Sequence, residues 1–544
     1  MHYRSTSVNT EISVNILNMK PKSLLSFVLT NTFFASVILS STSFGQQPAA
    51  INARTGSTLS ELQNGIRLKL SSPSVRRGNI GLKIVSLNSG KVLIEENAEK
   101  YFMPASNMKN YTVATALEKL TPDFRFVTTA WAATKPESDG SIKGDLYIRG
   151  VGDVSISHSF NNEDRFKGID RFVDALINAG VKKIDGGIVG DDSYFTGSPI
   201  PSGWELDDLQ WYYGAEVSSL PINDNAVSLS IVPSTVGSQC AAKILPFNFV
   251  YQVNNRCVTT AAGTQRTLRV EKKVGENLIE LSGNLPVGNA GFSNNVTVSR
   301  PANMFASMLK QRLQEKGVTV KGAGRAIPNG SQTSAVAQIE IARIESPPLG
   351  LIAAKTMKPS QNMYTEVLLR TLGEQARKTI LNRPMTNVIQ SGSDFTRDSA
   401  VLGIDAVKKF MMEIGVAEDA VLQYDGSGLS RHNLITPSSV IQLYSYMGTQ
   451  SRFAQVWRDS LTVGGVDGTL RNRFKGTRGE ANFRGKTGTI DQVSALSGYL
   501  TTAGGEQLVF SMIVNGVGET RTRVGLIDEI VVMLANFDGK IESN

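Results

Sequence analysis

The chain of 544 residues is predicted to have a mixed α/β fold of the α+β type: an antiparallel sheet flanked by helices, with inserted, mainly β domains. The main observation is a hairpin pattern near each end, at 81–95 and at 495–514, in which apolar and polar residues alternate around a short turn. One sheet can contain both hairpins only if the two ends meet in space. The long middle of the chain is therefore predicted to be an insertion.

The elements follow this plan in chain order. Pro104 precedes a run with apolar residues at helical spacing, which predicts a helix over Asn107–Leu120. Similar spacing predicts helices over Ile169–Ala179, Asn303–Lys316, Leu351–Leu372, Val401–Ile414 and Arg523–Phe537. Short alternating segments predict strands in the middle at Gly144–Ile148, Ile184–Val189, Asn225–Val232, Thr267–Val270 and Val296–Val298.

The N-terminus has the layout of a secretory signal peptide. Lys20 and Lys22 precede a mostly apolar run, Leu24–Leu39, which small residues follow. Met19 is an alternative start, and an uncleaved anchor is the alternative to a signal. The signal predicts an exported, periplasmic or cell-wall associated protein. No later apolar run is long enough to span a bilayer, so we expect loose or no membrane association. The predicted organisation is a signal at 1–45, a main domain at 46–131 and 346–544, and one or two small inserted domains at 132–345.

The two cysteines, Cys240 and Cys257, lie on either side of a short segment. In an exported protein such a pair predicts a disulfide, and two unrelated buried thiols are the alternative. The net charge of +8 is a mild excess that suits contact with an anionic polymer or surface. No Lys/Arg-rich run is present, so we expect no nucleic-acid partner.

Ser106-Asn-Met-Lys109 is the strongest candidate for chemistry. A serine hydroxyl needs a neighbouring base to attack a carbonyl, and side chains three residues apart share one face of a helix. The helix N-terminus also favours a developing negative charge. Lysine can be the base only if burial or a neighbouring cation lowers its pKa from about 10.4. Lys486 is a candidate for that cation.

Other chemistries fit less well. Ser307-Met-Leu-Lys310 has the same spacing but lies inside an amphipathic stretch, so an ordinary helix is the preferred interpretation. The histidines are His2, His158 and His432, and no serine lies in a Gly-x-Ser-x-Gly turn, which disfavours a Ser-His-Asp triad. No His-Glu-x-x-His is present and the cysteines are far from any histidine pair, so we expect no metal and no cofactor.

Seven blocks in a fixed order carry a family resemblance. They are Pro-Ala-Ser-Asn-Met-Lys at 104–109, Gly-Val-Gly-Asp at 150–153, 186–195, 203–208 leading to Asn-Asp-Asn at 223–225, 357–366, 425–431, and Lys-Thr-Gly at 486–488. With these the chain resembles the low-molecular-mass class C penicillin-binding proteins, the D-alanyl-D-alanine carboxypeptidase/endopeptidases. The resemblance covers essentially everything after the signal and implies a β-lactamase/transpeptidase-like main domain. The family usually has proline where this chain has Val154, and aspartate where it has Gln361.

The resemblance also implies catalytic roles. Ser106 is expected to be the acylated nucleophile and Lys109 its base. Ser360 is expected to relay a proton to the leaving D-alanine, and Asn362 to hold the substrate amide. Lys486 completes the predicted catalytic set.

Further residues are implied in substrate binding. Lys486, Thr487 and Gly488 are expected to form the edge strand along which the peptide lies. Thr487 and the backbone amide of Thr489 are expected to bind the terminal carboxylate and the oxyanion of the substrate. The backbone amide of Ser106 is expected to be a second donor to the oxyanion. Arg431 and Asp191 are expected to contact the stem-peptide side chain.

The function implied is an exported serine D-Ala-D-Ala carboxypeptidase acting on peptidoglycan stem peptides, with DD-endopeptidase activity as an addition and β-lactam antibiotics as covalent inhibitors. A β-lactamase or esterase with the same kind of site is the first alternative. A non-catalytic wall-binding protein that keeps the fold is the second.

Overall fold

The computed structural model describes residues 58–246, 250–327, 339–381 and 397–541. Contacts divide the chain into Met1–Phe44 and Gly45–Asn544, and the fold below is that of the second unit. The predicted signal at 1–45 lies outside the described residues. Within them, none of the helices has the length and apolarity needed to cross a membrane.

The N-terminal part contains α1 Leu59–Leu70, β1 Asn79–Ser86, β2 Val92–Glu96 and α2 Lys109–Leu120. The middle contains β3 Val127–Ala132, β4 Ser141–Ile142, β5 Leu146–Arg149, α3 Lys167–Asn178, β6 Lys183–Ile184, β7 Ile188–Asp191, β8 Ala226–Val232, β9 Ala241–Leu245, β10 Gln252–Asn255, β11 Val258–Thr260, β12 Arg269–Lys272, β13 Leu278–Ser282, β14 Asn284–Pro286, β15 Phe292–Thr297, α4 Pro301–Glu315, β16 Thr319–Val320, β17 Gly324–Ile327 and β18 Ile339–Glu345. The C-terminal part contains α5 Leu349–Met357, α6 Asn362–Leu381, α7 Ser399–Glu413, β19 Val421–Leu422, β20 Leu434–Ile435, α8 Pro437–Thr449, α9 Ala454–Ser460, β21 Thr462–Val463, β22 Arg484–Ile490, β23 Val493–Thr501, β24 Gln507–Asn515 and α10 Thr520–Asn536.

The main sheet joins the two ends of the chain. Its six strands lie in the order β2-β1-β24-β23-β22-β21, and every neighbouring pair is antiparallel. The first and last hairpins meet where β1 pairs with β24, from Asn79 opposite Asn515 to Ser86 opposite Leu508. This pairing confirms the prediction that both hairpins belong to one antiparallel sheet.

Helices cover both faces of this sheet. Alternate residues of a strand point to opposite faces, and on β24 Val509 and Ile513 join the core that contains α2 and α8. Phe510 and Met512 join the core of the other face, which contains α1 and α10. Because both faces are buried, β23 and β24 are apolar along most of their length, and the prediction of a sheet flanked by helices is confirmed.

The middle of the chain has a separate core, whose buried members all lie between Ala130 and Ile344. Its largest sheet has the order β17-β7-β5-β3-β18, and several smaller sheets accompany it. Cys240 and Cys257 are bonded there, with Cα atoms 5.4 Å apart, which confirms the predicted disulfide. The division at 131/132 and 345/346 stays a prediction, and β3 runs across the first of these positions.

Three elements differ from the sequence prediction in detail. The segment expected as one strand over Ile184–Val189 is two short strands, β6 and β7, in different sheets. The helical stretch Leu351–Leu372 is two helices, because Pro359 has no N–H to donate to a helical hydrogen bond and Ser360, with a φ of +66°, leaves the helical conformation. The helix after Pro104 begins as a 3₁₀ turn, Ala105–Met108, before α2.

Candidate active site

The 3₁₀ turn at the start of α2 brings Ser106 and Lys109 together. Side chains three residues apart lie directly above one another in a 3₁₀ turn, and the Lys109 Nζ donates to the Ser106 Oγ over 3.0 Å. Ala105, just before the serine, has a φ of +46°, a value that L-residues rarely adopt. Such backbone is retained where surrounding contacts enforce it. The turn thus presents the serine hydroxyl beside an amine.

Lys109 is the centre of the site. Its side chain is 0 % exposed, and its Nζ also donates to the Asn362 Oδ1 over 2.6 Å and to the Ser427 carbonyl over 2.7 Å. A lysine ammonium has three protons to donate, so all of them are occupied when it is charged. When the amine is neutral it has a lone pair to offer in place of one donor, and the serine hydroxyl is then a suitable donor to it.

Burial lowers the pKa of Lys109 from its ordinary value to about 7, against the opposing charges of Asp425 and Glu366. Desolvation acts in this direction because it penalises the charged form of an amine. Near neutral pH a large fraction of Lys109 is therefore unprotonated. A neutral amine within 3.0 Å of a serine hydroxyl can accept its proton.

Ser360 and Asn362 lie opposite this pair, in the break between α5 and α6. Ser360 has a φ of +66°, which turns the chain before α6 begins at Asn362. The Asn362 amide is held at both ends, because its Oδ1 accepts from Lys109 and its Nδ2 donates to the Tyr213 carbonyl over 2.8 Å. The amide orientation is thereby set by two neighbours of known polarity.

Lys486 connects Ser360 to strand β22. Its side chain is 0 % exposed, and its Nζ donates to the Ser360 Oγ over 2.8 Å and to the Thr487 carbonyl over 2.9 Å. Burial, followed by the charge of Lys109, lowers the pKa of Lys486 well below the ordinary lysine value. The sequence offered burial or the charge of Lys486 as the cause of a low Lys109 pKa, and burial is the first cause for both lysines.

Strand β22 passes close to the serine turn. A Cβ on Gly488 would lie 2.6 Å from the Pro104 carbonyl oxygen and 3.1 Å from the Ser106 nitrogen, so only glycine permits this approach. The Asn107 Nδ2 donates to the Lys486 carbonyl over 3.2 Å and ties the turn to the strand. The backbone of 488–489 is thus brought beside the amide of Ser106.

The outer edge of β22 is open beyond its first residues. Strand β21 pairs only with Arg484 and Gly485, so no described strand pairs with that edge from Lys486 onward. Along it the Thr487 Oγ1 donates to the Thr469 Oγ1 over 2.7 Å, and the Thr489 Oγ1 donates to the Gly488 carbonyl over 2.8 Å. An extended peptide can add to such an edge by backbone hydrogen bonds.

Two predicted residues, Arg431 and Asp191, have hydrogen-bond partners outside this cluster. The Arg431 Nε donates to the Glu205 Oε1 over 2.7 Å and its Nη1 to the Asp491 carbonyl, in the turn after β22, over 3.0 Å. Asp191 is buried and accepts from the Ser193 backbone nitrogen over 3.0 Å. Among the described residues, their hydrogen bonds do not connect either side chain to Ser106 or Lys109.

Asn362 and the other predicted catalytic residues apart, sequence reasoning assigned no role to the residues that surround Lys109. The Ser427 carbonyl is a backbone acceptor, which no side-chain motif can indicate. Glu366 and Asp425 end and begin two of the blocks that carried the resemblance, and both are buried carboxylates. Their positions in those blocks were a signal that could have been used, because a buried charge beside a lysine changes its pKa.

The sheet with helices on both faces, the inserted sheets and the serine–lysine cluster define a protein of the β-lactamase/transpeptidase-like class. The model of the D-Ala-D-Ala carboxypeptidase 3 (S13) family matches residues 62–537, and the chain belongs to this family. The chain is 31 % identical over 515 residues to a D-alanyl-D-alanine carboxypeptidase of an Actinomadura species, over 92 % of this chain and 89 % of the relative.

Two further similarities agree with this. The chain is 27 % identical to the penicillin-sensitive carboxypeptidase A of Dictyostelium discoideum, over 81 % of this chain and 83 % of that protein. The crystal structure of penicillin-binding protein 4 from Haemophilus influenzae superposes with a TM-score of 0.72 at 22 % identity, over 87 % of this chain and 99 % of that one. The second similarity supports the fold.

Proposed function

We propose that the protein is a serine-type D-Ala-D-Ala carboxypeptidase that acts on peptidoglycan stem peptides through an acyl-enzyme on Ser106. The observation that carries the proposal is the hydrogen bond of 3.0 Å between Ser106 and a fully buried Lys109. Membership of the S13 family supplies the substrate class.

Acylation begins when the Ser106 Oγ attacks the carbonyl carbon of the penultimate D-alanine and neutral Lys109 takes the proton of the Ser106 hydroxyl. Negative charge then develops on the carbonyl oxygen. The backbone amides of Ser106 and Thr489 are proposed to stabilise it, which is supported by the approach of Gly488 to the Ser106 nitrogen.

Collapse of the tetrahedral intermediate requires a proton on the leaving amine of D-alanine. Ser360 is proposed to give its hydroxyl proton to that amine and to receive one from Lys486, whose Nζ is 2.8 Å from the Ser360 Oγ. The proton that Lys109 took from Ser106 is proposed to pass to Lys486 in turn, so that Lys109 is neutral again before the next step. Asn362 is proposed to hold the substrate amide. Water then attacks the acyl-enzyme, with Lys109 again the base, and the shortened peptide leaves.

The substrate is proposed to lie along the open edge of β22, with its terminal carboxylate near Thr487 and Lys486. A carboxylate next to Lys486 would favour the charged form of that lysine and so raise its pKa. Arg431 and Asp191 remain proposed contacts for the stem-peptide side chain. Arg431 is supported by its contact with the turn after β22, whereas Asp191 is already engaged by Ser193.

Export to the periplasm or cell wall is proposed from the signal-like segment at 1–45 and from the substrate, which lies outside the cytoplasm. Covalent inhibition by penicillin is proposed because a β-lactam presents a strained amide to the same nucleophile. The name of the Dictyostelium relative, a penicillin-sensitive carboxypeptidase, supports this.

The test is release of D-alanine from a peptide that ends in D-Ala-D-Ala, with the purified protein and with Ser106→Ala as the control. We expect release by the wild-type protein and none by the variant. No release by folded wild-type protein would leave the non-catalytic alternative. Rapid turnover of penicillin, in place of a long-lived adduct, would identify a β-lactamase.

A further inference from the structure

Helix α6 reaches Lys109 by two routes. Asn362, at its first residue, accepts directly from the lysine, and Glu366 lies one turn further along the same face. Glu366 is 1 % exposed. Its Oε2 accepts from the Gly426 backbone nitrogen over 3.0 Å and its Oε1 from the Ser427 backbone nitrogen over 2.8 Å. The carboxylate thus holds the two successive N–H groups that precede the Ser427 carbonyl, the acceptor of Lys109.

This segment, Asp425–Gly428, is held from several sides and is called the Ser427 loop below. The Thr112 Oγ1 of α2 donates to the Gly426 carbonyl over 3.0 Å, and the Asp425 Oδ1 accepts from the Gly428 nitrogen over 2.7 Å. Gly428 has a φ of +84° and packs against the Ala105 carbonyl, where a side chain would not fit. A loop fastened in this way has little freedom to move its carbonyls.

The charges around Lys109 also depend on Glu366. The titratable groups that face the lysine are Glu366, Asp425 and Lys486. Both carboxylates act to raise the pKa of Lys109, and burial acts to lower it. Burial and Asp425 raise the pKa of Glu366 itself to about 7, while the bonds from the Ser427 loop favour its charged form.

We propose that Glu366 is a positioning residue for the reaction: it fastens the Ser427 loop by the N–H groups of Gly426 and Ser427, which keeps the Ser427 carbonyl against the amine of Lys109, and it places a buried carboxyl group near that amine. The inference rests on the proposed function, because it assumes that Lys109 is the base. It adds a residue that touches neither the serine nor the substrate. Glu366 influences how much of the Lys109 amine is neutral and where that amine lies when it accepts the proton of Ser106.

Removing the negative charge of Glu366 should shift the pKa of Lys109 in a known direction. Without a neighbouring anion the protonated form of Lys109 is less stable, so its pKa falls. Because the pKa of Glu366 is itself about 7, its charge is only partly present on the limb where acylation rises with pH. In Glu366→Gln this limb should therefore move to lower pH by less than about one unit, and the plateau should also fall, since the single amide oxygen of glutamine cannot replace both carboxylate oxygens. In Glu366→Asp the charge stays but the shorter side chain displaces the Ser427 loop. The limb should then stay in place while the plateau rate falls by about tenfold to 10²-fold.

The experiment is the pH profile of penicillin acylation for the full-length protein and these variants, with thermal unfolding as a check on folding. Glu374→Gln is the matched control, because Glu374 is a second buried glutamate of α6, which accepts from Arg377 and not from the Ser427 loop. This control should keep the wild-type limb. Profiles of Glu366→Gln and wild type that coincide would overturn the inference.

Two other outcomes are decisive. If folded wild-type protein is not acylated at all, both the proposed function and the role of Glu366 fail. If the wild-type protein is acylated but its pH profile coincides with that of Glu366→Gln, only the role of Glu366 fails. If Glu366→Gln does not fold, Glu366→Asp decides alone, since it keeps the charge and shortens the side chain that holds the Ser427 loop. A wild-type plateau in folded Glu366→Asp would overturn the inference.

Discussion

Replacing Lys109 by alanine removes the amine that lies 3.0 Å from the serine hydroxyl. With an ordinary lysine pKa of about 10.4, only some 0.04 % of the amine would be neutral at pH 7. With the pKa of about 7 that burial gives Lys109, about half is neutral. Burial thus increases the supply of base by about 10³-fold. We expect Lys109→Ala to acylate more slowly by about 10² to 10⁴, the usual contribution of a positioned base.

The assay is the second-order rate constant for acylation by a fluorescent penicillin, measured from pH 5 to 9 by stopped flow. For the wild-type protein the rate should rise with pH through a midpoint near the Lys109 pKa of about 7. Two units below that midpoint it should be about one-hundredth of its plateau, because only the neutral amine is active. Folding of the variant is checked by thermal unfolding. A wild-type rate in folded Lys109→Ala would refute the reasoning, and Lys486 would become the first alternative base.

Three further predictions concern other parts of the molecule. Lys486→Ala should lower the acylation rate by about tenfold or more. The pH midpoint should stay near that of the wild type, because burial is the first cause of the low pKa of Lys109. A midpoint moved to higher pH in the same stopped-flow assay would contradict this and show that Lys486 is charged in this range. Gly488→Ala should slow acylation by about tenfold or more, since its Cβ would lie 2.6 Å from the Pro104 carbonyl, and an unchanged rate would contradict that close approach. Replacing Cys240 and Cys257 by serine should lower the free energy of unfolding by about 3 kcal/mol in denaturant titrations while the folded protein acylates at the wild-type rate; equal stability would show that the bond adds nothing.

The main sheet could be predicted because its signals are local. Alternating residues on both sides of a short turn indicate a hairpin wherever they occur, and one sheet was predicted to contain both hairpins. That β1 is the strand that pairs with β24 was not predicted. The two-residue strands β4, β6 and β16 give no comparable pattern, since they have too few residues to show a period. Their pairing depends on contacts between segments far apart in the chain.

The site could be predicted as a set of side chains but not as a geometry. The spacing of Ser106 and Lys109 indicated that they meet, whereas the left-handed backbone of Ser360 depends on tertiary contacts. The Ser427 carbonyl could not be identified from residue types, because every residue has a carbonyl. The cause of the low pKa of Lys109 was assigned partly to Lys486, since the extent of burial is not visible in a sequence.

Mass spectrometry after incubation with benzylpenicillin tests the central claim most directly. Opening of the β-lactam ring on the serine leaves no fragment behind, so the protein should gain the mass of the whole antibiotic. After proteolysis the gain should lie on the peptide that contains Ser106, and Ser106→Ala should show none. A folded protein without any adduct, or with the adduct on a peptide that lacks Ser106, would contradict the assignment of the nucleophile.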